Sequence, residues 1–216
     1  SDIHVPRDYL RRIVAPLEDP SVGVVTCLYR ACSAHWPGRW EAIGIAADFA
    51  PSVLVAPYAG VREFGLGATL AFRAPDLEAI GGFEALAEYL ADDYQLASRI
   101  VRLGRKAVLA KVTVETRLAG RAWGEIWRRQ VRWARTIRLT RPGGYAGLPL
   151  ANASLWSLAA AAAGLWWSAL PLLALRIAAG VTVGWRILGS RDVRRHFYLI
   201  PLRDLWGAAE DRKSVV

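Results

Sequence analysis

Three groups of reactive side chains stand in fixed order along these 216 residues: Asp2, then Asp92-Asp93-Tyr94, then Arg129-Gln130-Val131-Arg132-Trp133. Residues 148–175, shortly behind the last group, carry no charge at all. Carboxylates move protons, and the planar fork of an arginine suits phosphate oxygens. Acid, acid, arginine–tryptophan, then an apolar stretch is the layout of an enzyme that handles a phosphorylated donor beside a bilayer. Each group taken singly has a plainer reading. Acids in the first turn of a helix stabilise it by capping and through its dipole. An arginine and a tryptophan fit on any amphipathic helix. The order and the spacing make the case.

The elements that must position these groups follow from the pattern around them. Residues 22–29 form a continuous apolar, β-branched run, as in a strand covered on both faces. Residues 107–116 read as a second strand. Residues 64–72, rich in glycine and apolar, read as a third, where backbone comes close to a ligand. Helices are expected over 6–15, over 39–49 with closure at Pro51, over 75–80 with Pro75 in the first turn, and over 92–103, ended by Gly104. Strands alternating with helices indicate an α/β sheet. The clearest helix is 121–140. Trp123, Ile126, Trp127, Gln130, Ala134 and Ile137 form one stripe, and Arg128, Arg132, Arg135 and Arg138 another. Such a helix, just ahead of an apolar stretch, is expected to lie along a membrane surface.

Composition supports the membrane reading. Hydrophobic residues make up 54% of the chain, and the excess falls after position 150. Residues 148–175 exceed the roughly 20 needed to cross a hydrocarbon core. A second apolar run, 177–188, follows Arg176 and contains Arg186. The net charge of +9 rests mostly on arginine. Nucleic acid would be one partner for such charge, but the arginines crowd both flanks of the apolar region, from Arg128 to Arg141 and from Arg191 to Arg203. That distribution favours a hairpin of two spans with both ends cytoplasmic, and no nucleic acid. Arg176 fits a hairpin awkwardly, so one span plus an interfacial helix is the alternative. Cys27 and Cys32 read as two reduced thiols. The first residue falls inside a motif, and residues 211–216 read as adapter-encoded sequence rather than native chain.

Together the groups resemble the inverting glycosyltransferases of families 2 and 21. Asp2-Ile3 matches the end of the Asp-Ser-Asp metal motif, Asp92-Asp93-Tyr94 the Glu-Asp-Tyr motif, and Arg129-Gln130-Val131-Arg132-Trp133 the (Gln/Arg)-x-x-Arg-Trp motif. The text around Val24–Arg30, Gly81-Gly82-Phe83 and Trp133–Arg138 is similar to the ceramide glucosyltransferase-like branch, and close to the hopanoid-associated enzymes. The resemblance implies the acceptor half of a GT-A fold over residues 1–147, followed by transmembrane helices over 148–189 and a basic cytoplasmic loop over 190–210. It implies that Asp2 holds Mg²⁺ or Mn²⁺ against the diphosphate of a UDP-sugar, and that Asp93 deprotonates a lipid hydroxyl. Arg132 would then hold the diphosphate and Trp133 would wall the acceptor pocket, with Arg129 in the same donor-diphosphate and acceptor group and Asp92 and Tyr94 secondary.

The implied activity is transfer of a hexose, glucose foremost, to a lipid such as ceramide. The implied location is the cytoplasmic face of a bacterial inner membrane, in a multi-pass protein. The rivals are a hopanoid-directed N-acetylhexosaminyl or hexosyl transferase, a processive polysaccharide synthase, and a non-catalytic basic membrane protein. Asp92 departs from the family's Glu, and the uridine-binding half of the fold is absent from these residues, so the fragment alone is expected to be inactive.

Overall fold

The β-branched run after Ser21 builds a strand whose residues 22–28 are all buried. The computed structural model describes residues 3–89, 91–120, 122–140 and 142–214. In chain order the elements are β1 (Ile3–His4), α1 (Tyr9–Val14), β2 (Val22–Cys32), α2 (Trp36–Gly44), α3 (Ala50–Val55), β3 (Ala71–Phe72), α4 (Ala74–Ala79), α5 (Asp92–Arg102) and β4 (Lys106–Arg117). The elements that follow are helical and include α6 (Trp123–Thr140), α7 (Pro142–Ala151), α8 (Ala153–Ala162), α9 (Trp166–Val181), a π-helical continuation over Thr182–Ile187, α10 (Arg191–His196) and α11 (Ile200–Ser214). The chain divides into two compact units, residues 1–30 with 52–117, and residues 31–51 with 118–216.

The first unit is built on a mixed four-stranded sheet in the order β1-β4-β2-β3. β1 runs antiparallel to β4, with Ile3 opposite Thr116, and β3 antiparallel to β2, with Val24 opposite Phe72. The Lys106 N–H donates to the Ser21 carbonyl at 2.7 Å and the Leu118 N–H to that of Cys32 at 2.9 Å, so β2 and β4 run in the same direction. Alternation along β2 feeds two cores. Val25 and Cys27 pack with Ile13 of α1 and with Val112 and Val114 of β4. Val24, on the other face, packs with Leu96, Ala97 and Ile100 of α5. A strand hydrophobic on both faces is what the unbroken run demands.

In the second unit α6 packs on α2 and α11, and α8 on α9. Ile126, Gln130 and Ala134 are buried, while Arg128, Arg132, Arg135 and Arg138 are exposed. The middle of the aromatic-apolar stripe is therefore covered from within, while Trp123 and Ile137 at its ends stay exposed. Trp123 and Trp127 meet the Trp206 ring at centroid distances of 6.1 and 5.0 Å, and Trp40 meets it at 5.6 Å. Besides Trp123 and Ile137, α6 turns those arginines outward.

Three expectations are corrected. Residues 64–72 do not form a strand: only Ala71–Phe72 pairs, and the rest is a loop bridged between Leu66 and Thr69. A hydroxyl from β2 satisfies that loop's backbone, and the loop therefore has no need of a ladder. The helix expected to close at Pro51 runs through it: the π-helical segment Ile45–Phe49 leads without a break into α3, which contains Pro51. The stretch 148–175 is not one rod. Asn152 caps α8 by accepting the Leu155 N–H at 3.0 Å, and the chain turns at Gly164 with φ +78°. Among the described residues one helix, Trp166–Ile187, is long and apolar enough to cross a membrane, and α8, at ten residues, is too short.

Candidate functional site

The acidic motif opens α5 in the first unit. Asp92 is exposed, and its Oδ1 accepts the Asp93 N–H at 2.9 Å, the local helix-start role its position suggests. Asp93 is half-buried and differently placed. Its Oδ1 accepts the Tyr94 N–H at 2.7 Å, and the Gly67 N–H also bonds to the carboxylate. Burial pushes the Asp93 carboxyl above the usual range for aspartate, with the Asp92 charge adding to the rise and the backbone N–H groups opposing it. Tyr94 is half-buried on the same turn. A carboxylate raised toward neutrality, beside a glycine loop, is suited to taking a proton from a hydroxyl.

The loop that meets Asp93 packs tightly on it at two glycines. A Cβ on Gly65 would stand 2.7 Å from the Asp93 carbonyl oxygen, and one on Gly67 3.1 Å from Asp93 Oδ2. Thr26, buried in β2, holds this loop: its hydroxyl accepts the Leu66 N–H at 3.1 Å and donates to the Thr69 carbonyl at 2.7 Å. The Tyr9 hydroxyl pins the Thr69 side chain at 3.0 Å. Thr26, Gly65 and Gly67 were not foreseen as contributors. Their only sequence signals were a hydroxyl inside an apolar strand and a pair of closely spaced glycines.

The arginine motif lies on α6 in the second unit. Glu125, Arg128, Arg129, Arg132 and Trp133 line an open depression of about 650 Å³, where guanidinium groups outnumber the single carboxylate. The two motif arginines differ. Arg132 is exposed to this depression, whereas Arg129 is turned onto Glu41 of α2, with Nη1 3.2 Å from Oε1. The Arg129 guanidinium also lies 4.7 Å from the centroid of the Trp133 ring. Gln130, between them, is buried and accepts a hydrogen bond from the Arg203 guanidinium of α11. Arg203 fits because Gly44 leaves room: a Cβ there would lie 2.5 Å from Nε. Glu41 and Arg203 are further residues that periodicity could not single out.

Asp2, the expected metal ligand, lies outside the described residues. Among the described residues no three His, Cys, Asp or Glu side chains gather as a ligand set. The acid whose charge acts on Asp93 is Asp92, and Asp92 faces its own helix start. The first unit thus presents a half-buried carboxylate beside a glycine loop, and the second an exposed arginine face.

A sequence model described as glycosyl transferase family 21 matches residues 1–209. No protein of curated function matches the chain.

Proposed function

The chain belongs to glycosyl transferase family 21, and we propose that it moves a hexose, glucose foremost, from a UDP-sugar to the hydroxyl of a lipid such as ceramide. Membership of the family implies a sugar donor and an acceptor. The finer reading rests on one observation above others: Asp93 is a half-buried carboxylate held in place by backbone N–H groups and shifted upward by burial. In the proposed reaction Asp93 takes the proton of the acceptor hydroxyl as its oxygen attacks the anomeric carbon, inverting it. Arg132 holds the diphosphate as the sugar–phosphate bond breaks, a task for which a fixed guanidinium fork is well matched. Trp133 walls the acceptor. Mg²⁺ or Mn²⁺, held with Asp2, would offset charge on the departing diphosphate.

The proposed setting is the cytoplasmic face of a bacterial inner membrane. The single candidate span and the outward arginines of α6 support it, since anionic headgroups attract such a face. The test is transfer by the full-length protein, in vesicles, from radiolabelled UDP-glucose or UDP-N-acetylglucosamine to ceramide or a hopanoid, with Mg²⁺ or Mn²⁺ supplied. Labelled glucosylceramide is the expected product. Label on the hopanoid would move the assignment to that acceptor. No lipid product from any combination, with salt-sensitive binding to anionic vesicles retained, would leave a basic membrane protein without transfer activity.

A further inference from the structure

Glu41 is wholly buried, 0% exposed, in the middle of α2 among Trp40, Ala42 and Ile43. Among the described residues neither of its oxygens accepts a well-formed hydrogen bond, and its one ion pair is with Arg129 at 3.2 Å. A carboxylate taken out of water is costly unless a cation meets it. The cation that meets Glu41 is the first residue of the arginine motif. The pairing has a further effect. Positions 129 and 133 are one helical turn apart and share a face, so the guanidinium held by Glu41 lies against the Trp133 ring, 4.7 Å from its centroid. Arg129 is 25% exposed and engaged on both sides, by Glu41 and by Trp133, while Arg132 is free to face the depression.

We propose that Glu41 is a positioning residue of the transfer site: its carboxylate fixes Arg129, and through it the Trp133 ring, leaving Arg132 to meet the donor. The division of labour rests on the transferase reading above, but the geometry of Glu41, Arg129 and Trp133 does not. It assigns Arg129 to the acceptor wall rather than to the diphosphate.

Glu41→Gln keeps the shape and removes the charge. It should raise KM for the acceptor lipid about tenfold, with KM for the UDP-sugar unchanged. In an Arg129→Gln background the same substitution should have no further effect, since Glu41 acts through Arg129. Arg129→Lys preserves a cation for Glu41, and so the fold, but loses the flat contact with the ring. It should raise the acceptor KM as well. A rise in donor KM with Arg129→Lys, and none for the acceptor, would return Arg129 to the diphosphate and overturn the proposal. A second readout needs no activity. With 5-fluorotryptophan incorporated and the Trp133 resonance identified by Trp133→Phe, that ¹⁹F signal should move in Glu41→Gln. Movement of the signal in a protein that transfers no sugar would refute the transferase reading and leave the positioning intact. An unmoved signal and unchanged acceptor KM in an active enzyme would refute the positioning.

Discussion

Arg176 and Asp204 stand 2.6 Å apart, the arginine side chain 13% and the aspartate 4% exposed. The arginine falls within Trp166–Ile187, the one helix among the described residues able to cross a membrane, and the aspartate belongs to α11. The Ser154 hydroxyl donates to the same carboxylate, and the Asn152 side-chain amide donates to the Asp204 carbonyl at 3.1 Å. One residue of α11 thus gathers α9 and the start of α8. The charge that fitted the apolar stretch awkwardly in sequence is neutralised by a partner 28 positions away.

Breaking that pair should be costly. Asp204→Asn leaves a guanidinium enclosed without its counter-charge, and removing one partner of a buried pair costs roughly 3–5 kcal/mol. Thermal unfolding in detergent should show a clear fall in Tm. An unchanged Tm would mean that the pair does not hold α11 to α9.

Asp93→Asn should cut transfer by a factor on the order of 10² to 10⁴, the usual worth of a positioned general base, while UDP-sugar binding stays nearly intact. Asp92→Asn should cost far less, because the Asp92 side chain serves its own helix start. Initial rates and calorimetric donor binding on the full-length enzyme separate the two. Equal losses at both positions would remove Asp93 from the role of base.

The upward shift at Asp93 has a defined sign in pH. A base must be unprotonated, so activity should fall on acidification at a pH above the ordinary aspartate range. For stability the direction reverses. Between its unfolded and folded pKa the folded state holds a proton that the unfolded state lacks, so the contribution of Asp93 to stability is greater at low pH and is lost as pH rises through the folded value. Asp93→Asn should abolish this dependence and be at least as stable as the parent near neutrality. Paired pH–rate and pH–Tm curves read both effects, and an acidic limb at the ordinary aspartate value would contradict the burial seen here.

Arg132→Lys retains charge but not bidentate contact, and should lower kcat/KM for transfer by about tenfold or more. Arg135→Lys, exposed on the same helix, should be close to neutral. Identical kinetics for the two variants would reduce Arg132 to one member of a basic surface.

Thr26→Val is nearly isosteric, yet it strands the Leu66 N–H and the Thr69 carbonyl. The expected loss is roughly 1–3 kcal/mol in unfolding free energy. Because Gly67 borders Asp93, transfer should fall too, with donor KM unchanged. Amide hydrogen exchange should quicken at Leu66 and Thr69. Unaltered exchange there would show that the loop stands without the hydroxyl.

How much of this was legible in sequence depended on how local its cause is. β2, β4 and α5 were readable because unbroken β-branched runs and an acid-opened helix declare themselves within a dozen residues. The burial of Ile126, Gln130 and Ala134 followed from period 3.6. The partner that covers them did not, since α11 is remote in the chain. Glu41 looked like any helical acid, for the cation that meets it, Arg129, is remote in the chain. The loop over residues 64–72 was misread as a strand because its apolar composition is that of a strand. Its hydrogen bonds go instead to Thr26, some 40 positions earlier. The apolar stretch was misplaced because length alone was counted, and Asn152 and Gly164 break it.

The Gln130–Arg203 bond also sets an order in time. The two residues are 73 positions apart. During synthesis at about 5–20 residues per second, roughly 4 to 15 s pass before the amide of Gln130 can meet its guanidinium. In that interval Trp166–Ile187 has been synthesised. The packing of Gln130 against α11 is therefore completed only after the candidate span has been made, and the newborn chain cannot finish that contact before its apolar segment is available for insertion.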